Sequence, residues 1–262
     1  MHRFLLLAIW LLVVAGCQTA PQAITAAQAP VPVAPPISGD PFWPADGHFP
    51  GKGRTSSWPG FRSHNLERRS LFARRQAEDR NAIVFVGDSI TDGWNTLQGD
   101  FAGLHCKVAN RGIGGDTTPN LLYRLEDDIL SLRPRALVIL IGTNDLGEHT
   151  PPADIADNLR EALARIRAAC PKIPIAWCLV MPRQGDDTYP QRIAELNALI
   201  RRLAASDPLV TICDTFAPLA LPDGTSKAED FKPDHLHLNA AGYAVWRSVL
   251  YPIVAGWNLA DR

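Results

Sequence analysis

From Ala82 onward the sequence alternates short, continuously apolar runs with longer segments of helical periodicity, and this alternation restricts the fold more than any other feature. The runs are Ile83 to Val86, Lys107 to Ala109, Ala136 to Ile141, Ile175 to Val180 and Leu209 to Cys213. Most lack the polar alternation of a half-exposed strand, as expected of parallel strands covered on both faces. Between them Leu121, Leu125, Ile129 and Leu132 recur at helical spacing, with Pro119 in the first turn and Asp116 and Thr118 as candidate caps. Ile155, Leu159, Ala162, Leu163 and Ile166 repeat the pattern, as do Ile193, Leu196, Leu199, Ile200 and Leu203, and a last helix is predicted over 239–254. This order predicts an α/β chain with one open, five-stranded parallel sheet and helices on both faces.

Ligands of such a sheet bind beyond the carboxyl ends of its strands. After the first run comes Gly87-Asp88-Ser89-Ile90-Thr91, after the second Asn110-Arg111-Gly112-Ile113-Gly114-Gly115-Asp116, and after the third Gly142-Thr143-Asn144-Asp145. Pro233-Asp234-His235-Leu236-His237-Leu238-Asn239 precedes the last helix. A serine hydroxyl is inert near neutral pH unless a base takes its proton and a third group orients that base. Ser89, His237 and Asp234 meet this need, because Asp-x-x-His spacing lets the carboxylate reach one imidazole nitrogen while the other faces Ser89. His235, adjacent to Asp234, is expected to point elsewhere. The Ser89 N–H, the Gly112 N–H and the Asn144 side-chain amide are the candidate oxyanion donors.

These four ordered blocks resemble the SGNH, or GDSL, hydrolase family over about residues 80–255, and the second block is most similar to the branch around platelet-activating-factor acetylhydrolase catalytic subunits. The resemblance implies a flavodoxin-like three-layer α/β/α sandwich. It also implies a nucleophile at Ser89, oxyanion donors at Ser89, Gly112 and Asn144, a base at His237 and an orienting carboxylate at Asp234. No metal and no organic cofactor is implied.

Rival chemistries fit less well. Gly112-Ile113-Gly114-Gly115-Asp116-Thr117 begins like a dinucleotide loop but has Thr117 where the third glycine belongs. A metal-dependent phosphoesterase drawing on Asp88, Asp92, Asn144, His235 and His237 lacks an acidic-x-His pair on the first strand. Thr91 breaks the G-x-S-x-G elbow of α/β-hydrolases. Trp94 reads either as a wall of the acyl pocket or as core, Trp177 as core, and Arg111 either as an anion attractor or as a solvated charge. The polar stretch Met181 to Tyr189 either shapes specificity or only connects elements.

The amino-terminal part differs in kind. An apolar run from Phe4 to Ala15 is far shorter than the ~20 residues of a spanning helix, and it ends in Val14-Ala15-Gly16-Cys17. That ending resembles a bacterial lipobox, so residues 1–16 are expected to be a lipoprotein signal peptide and Cys17 the lipidated residue, with an ordinary cleaved signal as the alternative. Residues 17–40, dominated by Ala, Pro and Gln, read as an extended tether. Gln18 in place of Asp after the cysteine points to the outer membrane, facing the periplasm. Residues 41–80 read as an arm with Trp43, Trp58 and an Arg-rich stretch, Asn65 to Glu78, expected as one polar helix; 81–262 form the hydrolase domain.

The chain's 46% apolar and 20% charged residues exclude disorder as its main state. With 26 Lys and Arg against 27 Asp and Glu, no basic excess exists to hold a nucleic acid. Cys106, Cys170, Cys178 and Cys213 allow three pairings in an export compartment that permits disulfides, but no bridge is assigned. None forms C-x-x-C, so zinc and thioredoxin-like chemistry lack support.

The expected function is a serine esterase acting through an acyl-enzyme. The absence of a long apolar lid in the loops favours acetyl-type esters, on carbohydrate or cell-envelope substrates. The alternatives are a lysophospholipase or other lipid-ester hydrolase and, in another class, a non-catalytic envelope lipoprotein.

Overall fold

The computed structural model describes residues 40–259; the expected signal peptide, Cys17 and the tether up to residue 39 lie outside the described residues. Five strands, β1 (Ile83–Gly87), β2 (Val108–Gly112), β3 (Ala136–Leu140), β4 (Ile175–Cys178) and β5 (Val210–Cys213), pair in parallel in the order β2-β1-β3-β4-β5. The helices are α1 (Phe61–Arg74), α2 (Ser89–Asp92), α3 (Leu97–Asp100), α4 (Thr118–Arg124), α5 (Thr143–Gly147), α6 (Pro152–Ala169), α7 (Tyr189–Ala205) and α8 (Ala240–Gly256).

Side chains alternate across the pleat, so each strand feeds two cores. Val84, Val86, Leu137, Ile139, Ile175 and Trp177 meet Leu121, Leu159, Ile166, Leu196 and Ile200 of α4, α6 and α7. Ile83, Phe85, Val138, Ala176 and Cys178 meet Ile90, Trp94, Leu97, Trp246 and Leu250 from the α2, α3 and α8 side. The result is the three-layer α/β/α sandwich expected from the alternation. Trp177 is core, and so is Trp94, packed 4.5 Å from the Trp246 ring rather than walling a pocket. Cys178 and Cys213 stand opposite each other on β4 and β5, both buried, and among the described residues no disulfide joins Cys106, Cys170, Cys178 or Cys213.

Three expectations shift. Strand β2 runs on through the polar pair Asn110-Arg111, because Arg111 is neither solvated nor at the ligand edge. Its guanidinium is buried against the Phe72 ring at 4.6 Å and bonds Asp79 at 2.9 Å. Helix α1 begins earlier than predicted, at Phe61 after the Trp58-Pro59-Gly60 turn, and is not wholly polar: Phe61, Asn65, Arg69 and Phe72 share a buried face. The amino end of α4 is capped neither by Asp116 nor by the Thr118 side chain. Asp145 reaches across from α5 to accept from the Thr118 N–H at 3.0 Å, while Asp116 turns to Arg124.

Candidate active site

Gly87 is level with Gly112 on one side and with Leu140 on the other, so β1, β2 and β3 deliver their following loops from one line. On leaving β1 the chain turns at once into α2, whose amino end is capped by Asp88 through a 2.9 Å bond from the Ile90 N–H. This puts Ser89 at the first helical position, where its own N–H has no partner inside the helix. Helix α2 lies so close to β2 that a Cβ on Gly112 would stand 2.2 Å from the Asp92 nitrogen, which requires glycine there.

His237 arrives on a loop pinched between Phe231 and Leu238, which form an isolated antiparallel bridge. The Asp-x-x-His segment is a turn rather than a helix. Asp234 Oδ1 accepts from the N–H groups of Leu236 (3.0 Å) and His237 (2.9 Å), and Oδ2 lies 2.7 Å from His237 Nδ1. His237 Nε2 is 2.8 Å from Ser89 Oγ. Desolvation works to raise the Asp234 carboxyl, but the bonds from His237 and the two N–H groups prevail and hold it at about 2. An ionised Asp234 only accepts, so Nδ1 carries the proton and Nε2 is left to accept from the serine hydroxyl. His235 stays outside this relay, its backbone in the left-handed region at φ 53° and its carbonyl accepting from the Gln184 N–H at 3.3 Å.

Of the three expected oxyanion donors, the Ser89 N–H and one Asn144 amide hydrogen have no acceptor, whereas the Gly112 N–H is committed. Asn144 spends one amide hydrogen on the Asp116 carbonyl at 2.9 Å and keeps the other uncommitted. The Gly112 N–H is already donated to Asn110 Oδ1 at 2.9 Å, as an edge-strand amide paired by its own strand's side chain. Further along the loop, Ile113 donates to Gly87, Gly114 to Asp92 and Asp116 to Ile113. The Gly115 N–H alone among these residues has no acceptor, and Gly115 takes a left-handed φ of 82°. The order of the glycines does not reveal which amide is free; the hydrogen bonds of the loop decide it.

The GDSL-like lipase/acylhydrolase family model matches residues 85–245, which include Ser89, the glycine loop, Asn144 and the Asp234 to His237 turn. The chain belongs to this family. The GDSL hydrolase is 31% identical over 170 residues to platelet-activating factor acetylhydrolase IB subunit alpha1 of Pongo abelii, across 62% of this chain and 70% of that protein. It is 30% identical over 171 residues to the alpha2 subunit of Gallus gallus, across 62% and 71%. A GDSL-like lipase from Bacteroides thetaiotaomicron shares the fold with a TM-score of 0.61 at 24% identity, over 71% of this chain and 98% of that one. So does a variant of an acetyl-xylooligosaccharide esterase from Geobacillus Stearmophilus, with a TM-score of 0.55 at 20% identity, over 70% and 95%. These two likenesses speak for the fold alone. By family the protein is a carboxylic ester hydrolase.

Around Ser89, His237 and Asp234 of this GDSL hydrolase lies a shell of buried charge that the motifs do not announce. Burial and neighbouring carboxylates push Asp88 up to about 7, and burial pushes Asp145 up to about 7 against its bonds from Thr118. Arg124 grips Asp116 through Nε (2.9 Å) and Nη2 (2.7 Å), and Nη2 also reaches the Gly87 carbonyl at 3.3 Å, tying the glycine loop to the end of β1. Asp92, three residues past Ser89, accepts from the Gly114 N–H (3.2 Å) and from His64 Nε2 (2.8 Å), and pairs with Arg68 Nη2 at 3.0 Å. Arg68 Nε donates to the Gly112 carbonyl at 3.1 Å. His64 and Arg68 lie on α1, outside the family match, and the only sequence sign of them is the density of arginine. The five groups weighed for a metal-dependent phosphoesterase do not converge, since Asp92 faces α1 and His237 spans Asp234 and Ser89.

Proposed function

We propose that Ser89, His237 and Asp234 act as a catalytic triad that removes short acyl groups, acetyl above all, from carbohydrate or cell-envelope esters. The observation that carries this reading is the continuous relay from Ser89 Oγ through His237 to an ionised Asp234. His237 takes the serine proton as Oγ attacks the ester carbonyl, and the N–H groups of Ser89 and Gly115 with the free Asn144 amide hydrogen receive the oxyanion. Collapse of the intermediate expels the alcohol, which takes the proton from His237 and leaves Ser89 acylated. Water, deprotonated by the same imidazole, releases the acid. Neither step calls for a metal or an organic cofactor.

A polar leaving group suits the surroundings. A cleft of roughly 400 Å³ is lined by Arg183, Gln184, Asp186, Asp187 and Thr225. Gln184 joins it to the catalytic loop through the His235 carbonyl. A hydroxyl-rich chain finds donors and acceptors there, whereas an alkyl chain would strip water from charged groups. The stretch after β4 is thus the specificity loop of this reading. The proposal includes export and anchoring through lipidated Cys17 at the outer membrane, the tether allowing the enzyme to reach envelope polymers.

Ser89→Ala is expected to lower hydrolysis of p-nitrophenyl acetate on the order of 10⁴- to 10⁶-fold, to abolish fluorophosphonate labelling, and to leave the thermal transition in place. Retained turnover in that variant defeats the triad. Acetylated xylan and peptidoglycan are expected to outperform lysolipids; rates that climb with acyl length would point to the lipid-ester alternative instead.

A further inference from the structure

The arm contains one aromatic side chain that stands exposed. Trp43, Phe61 and Phe72 pack with Ile113, whereas Trp58 is 51% exposed, the one aromatic among the exposed large apolar residues of the described chain. A lone exposed apolar residue is ordinary. Trp58 differs in being held in position.

Pro59 restricts the backbone at Trp58, the Trp58 carbonyl accepts from the Phe61 N–H at 2.9 Å, and its N–H reaches Ser56 Oγ at 3.3 Å. The indole is braced by the bare Gly60, where a Cβ would come within 2.6 Å of Cζ2, and by the inclined His64 ring, the two ring centroids 5.8 Å apart. Hydrogen bonds of Ser57 and His64 and a close approach of Ser56 join this turn and the start of α1 to the segments around the site. Ser57 donates its N–H (2.6 Å) and hydroxyl (2.8 Å) to Glu148, one turn past Asn144. Ser56 Oγ lies 3.1 Å from where a Cβ on Gly115 would be, and His64 bonds Asp92 at the end of the Ser89 helix at 2.8 Å. Through these neighbours the Trp58 turn adjoins the segments that carry Gly115, Asn144 and Ser89.

We propose that Trp58 is the platform on which a sugar ring of the esterified chain stacks while its ester group lies on Ser89. The proposal rests on the carbohydrate-ester reading and names the residue that would realise it. A flat indole offers the apolar face of a pyranose ring a broad, pre-ordered contact at little cost in side-chain entropy. Its residue lies outside the span that matches the family, so this subsite belongs to the arm rather than to the shared hydrolase frame.

The test compares wild type, Trp58→Ala and Trp58→Phe on an acetylated xylooligosaccharide and on p-nitrophenyl acetate, with thermal melts of all three. For Trp58→Ala, kcat/KM on the oligosaccharide relative to that on p-nitrophenyl acetate is expected to fall about tenfold, the change lying mainly in KM, with Trp58→Phe recovering part of it. Equal losses on both substrates would mark a structural role and overturn the proposal, as would an unchanged ratio. A wild type that cleaves p-nitrophenyl acetate in a Ser89-dependent way but no acetylated oligosaccharide would overturn both the platform and the carbohydrate reading while leaving the triad in place.

Discussion

Asp234 shows how much a single side chain does in this site. One oxygen gathers two backbone N–H groups and so shapes the turn, while the other faces His237 Nδ1 at 2.7 Å and sets its tautomer. The two tasks can be separated. Asp234→Asn keeps an acceptor for the N–H groups, so its thermal transition is expected to stay within a few degrees of wild type. The amide cannot hold the imidazole in the required tautomer, and kcat should fall on the order of 10⁴-fold. A variant that unfolds early, or one that keeps its kcat, contradicts this division. Asp234, His237 and Ser89 were legible in the sequence because short motifs at predicted strand ends state both residue type and place. Gly115 was not, since a glycine triplet tells nothing of which N–H its own loop consumes.

At the scale of elements, the arm is built into the domain by buried charge. Arg69 on α1 lies over the Phe42 ring at 4.8 Å and donates to Asp128 at 2.7 Å, with both side chains almost fully buried. Truncating one member of such a pair leaves the other charge buried without a partner. Arg69→Met is accordingly expected to cost about 3–5 kcal/mol in urea unfolding, and a loss below ~1 kcal/mol would mean that α1 contributes little to the fold. The strands were legible to within a few residues, because continuous apolar runs flanked by helical periodicity admit little else. The end of β2 and the buried face of α1 were misread for one reason: Arg111 and Arg69 look like solvent-facing charges until Asp79, Phe72 and Asp128 arrive from elsewhere in the chain.

For the molecule as a whole, the carboxyls buried beneath the site give stability an unusual dependence on pH. Asp88 and Asp145 are held at about 7 against an ordinary 3.8, mainly by burial. Between these values the folded chain keeps protons that the unfolded chain has released, so stability falls as pH rises from about 4 to 7. Asp234, held at about 2, acts in the opposite sense at lower pH, its contribution being lost as pH drops from about 4 toward 2. The melting temperature is expected to decline from pH 5 to pH 8, and Asp88→Asn, which retains an acceptor for the Ile90 N–H, should flatten that decline. A melting temperature that climbs steadily over this range would contradict the assignment of the buried carboxyls.

The sequence by itself determined the layered α/β architecture, the edge of the sheet that carries the chemistry and the family to which the chain belongs. These follow from local period and short spacing, which residues express without knowing their distant neighbours. Tertiary structure alone decided which loop amide is left free, which charges are buried, and that the arm is bonded to the segments around the site. Each of those depends on segments tens of residues apart meeting in space, and no local pattern records such a meeting.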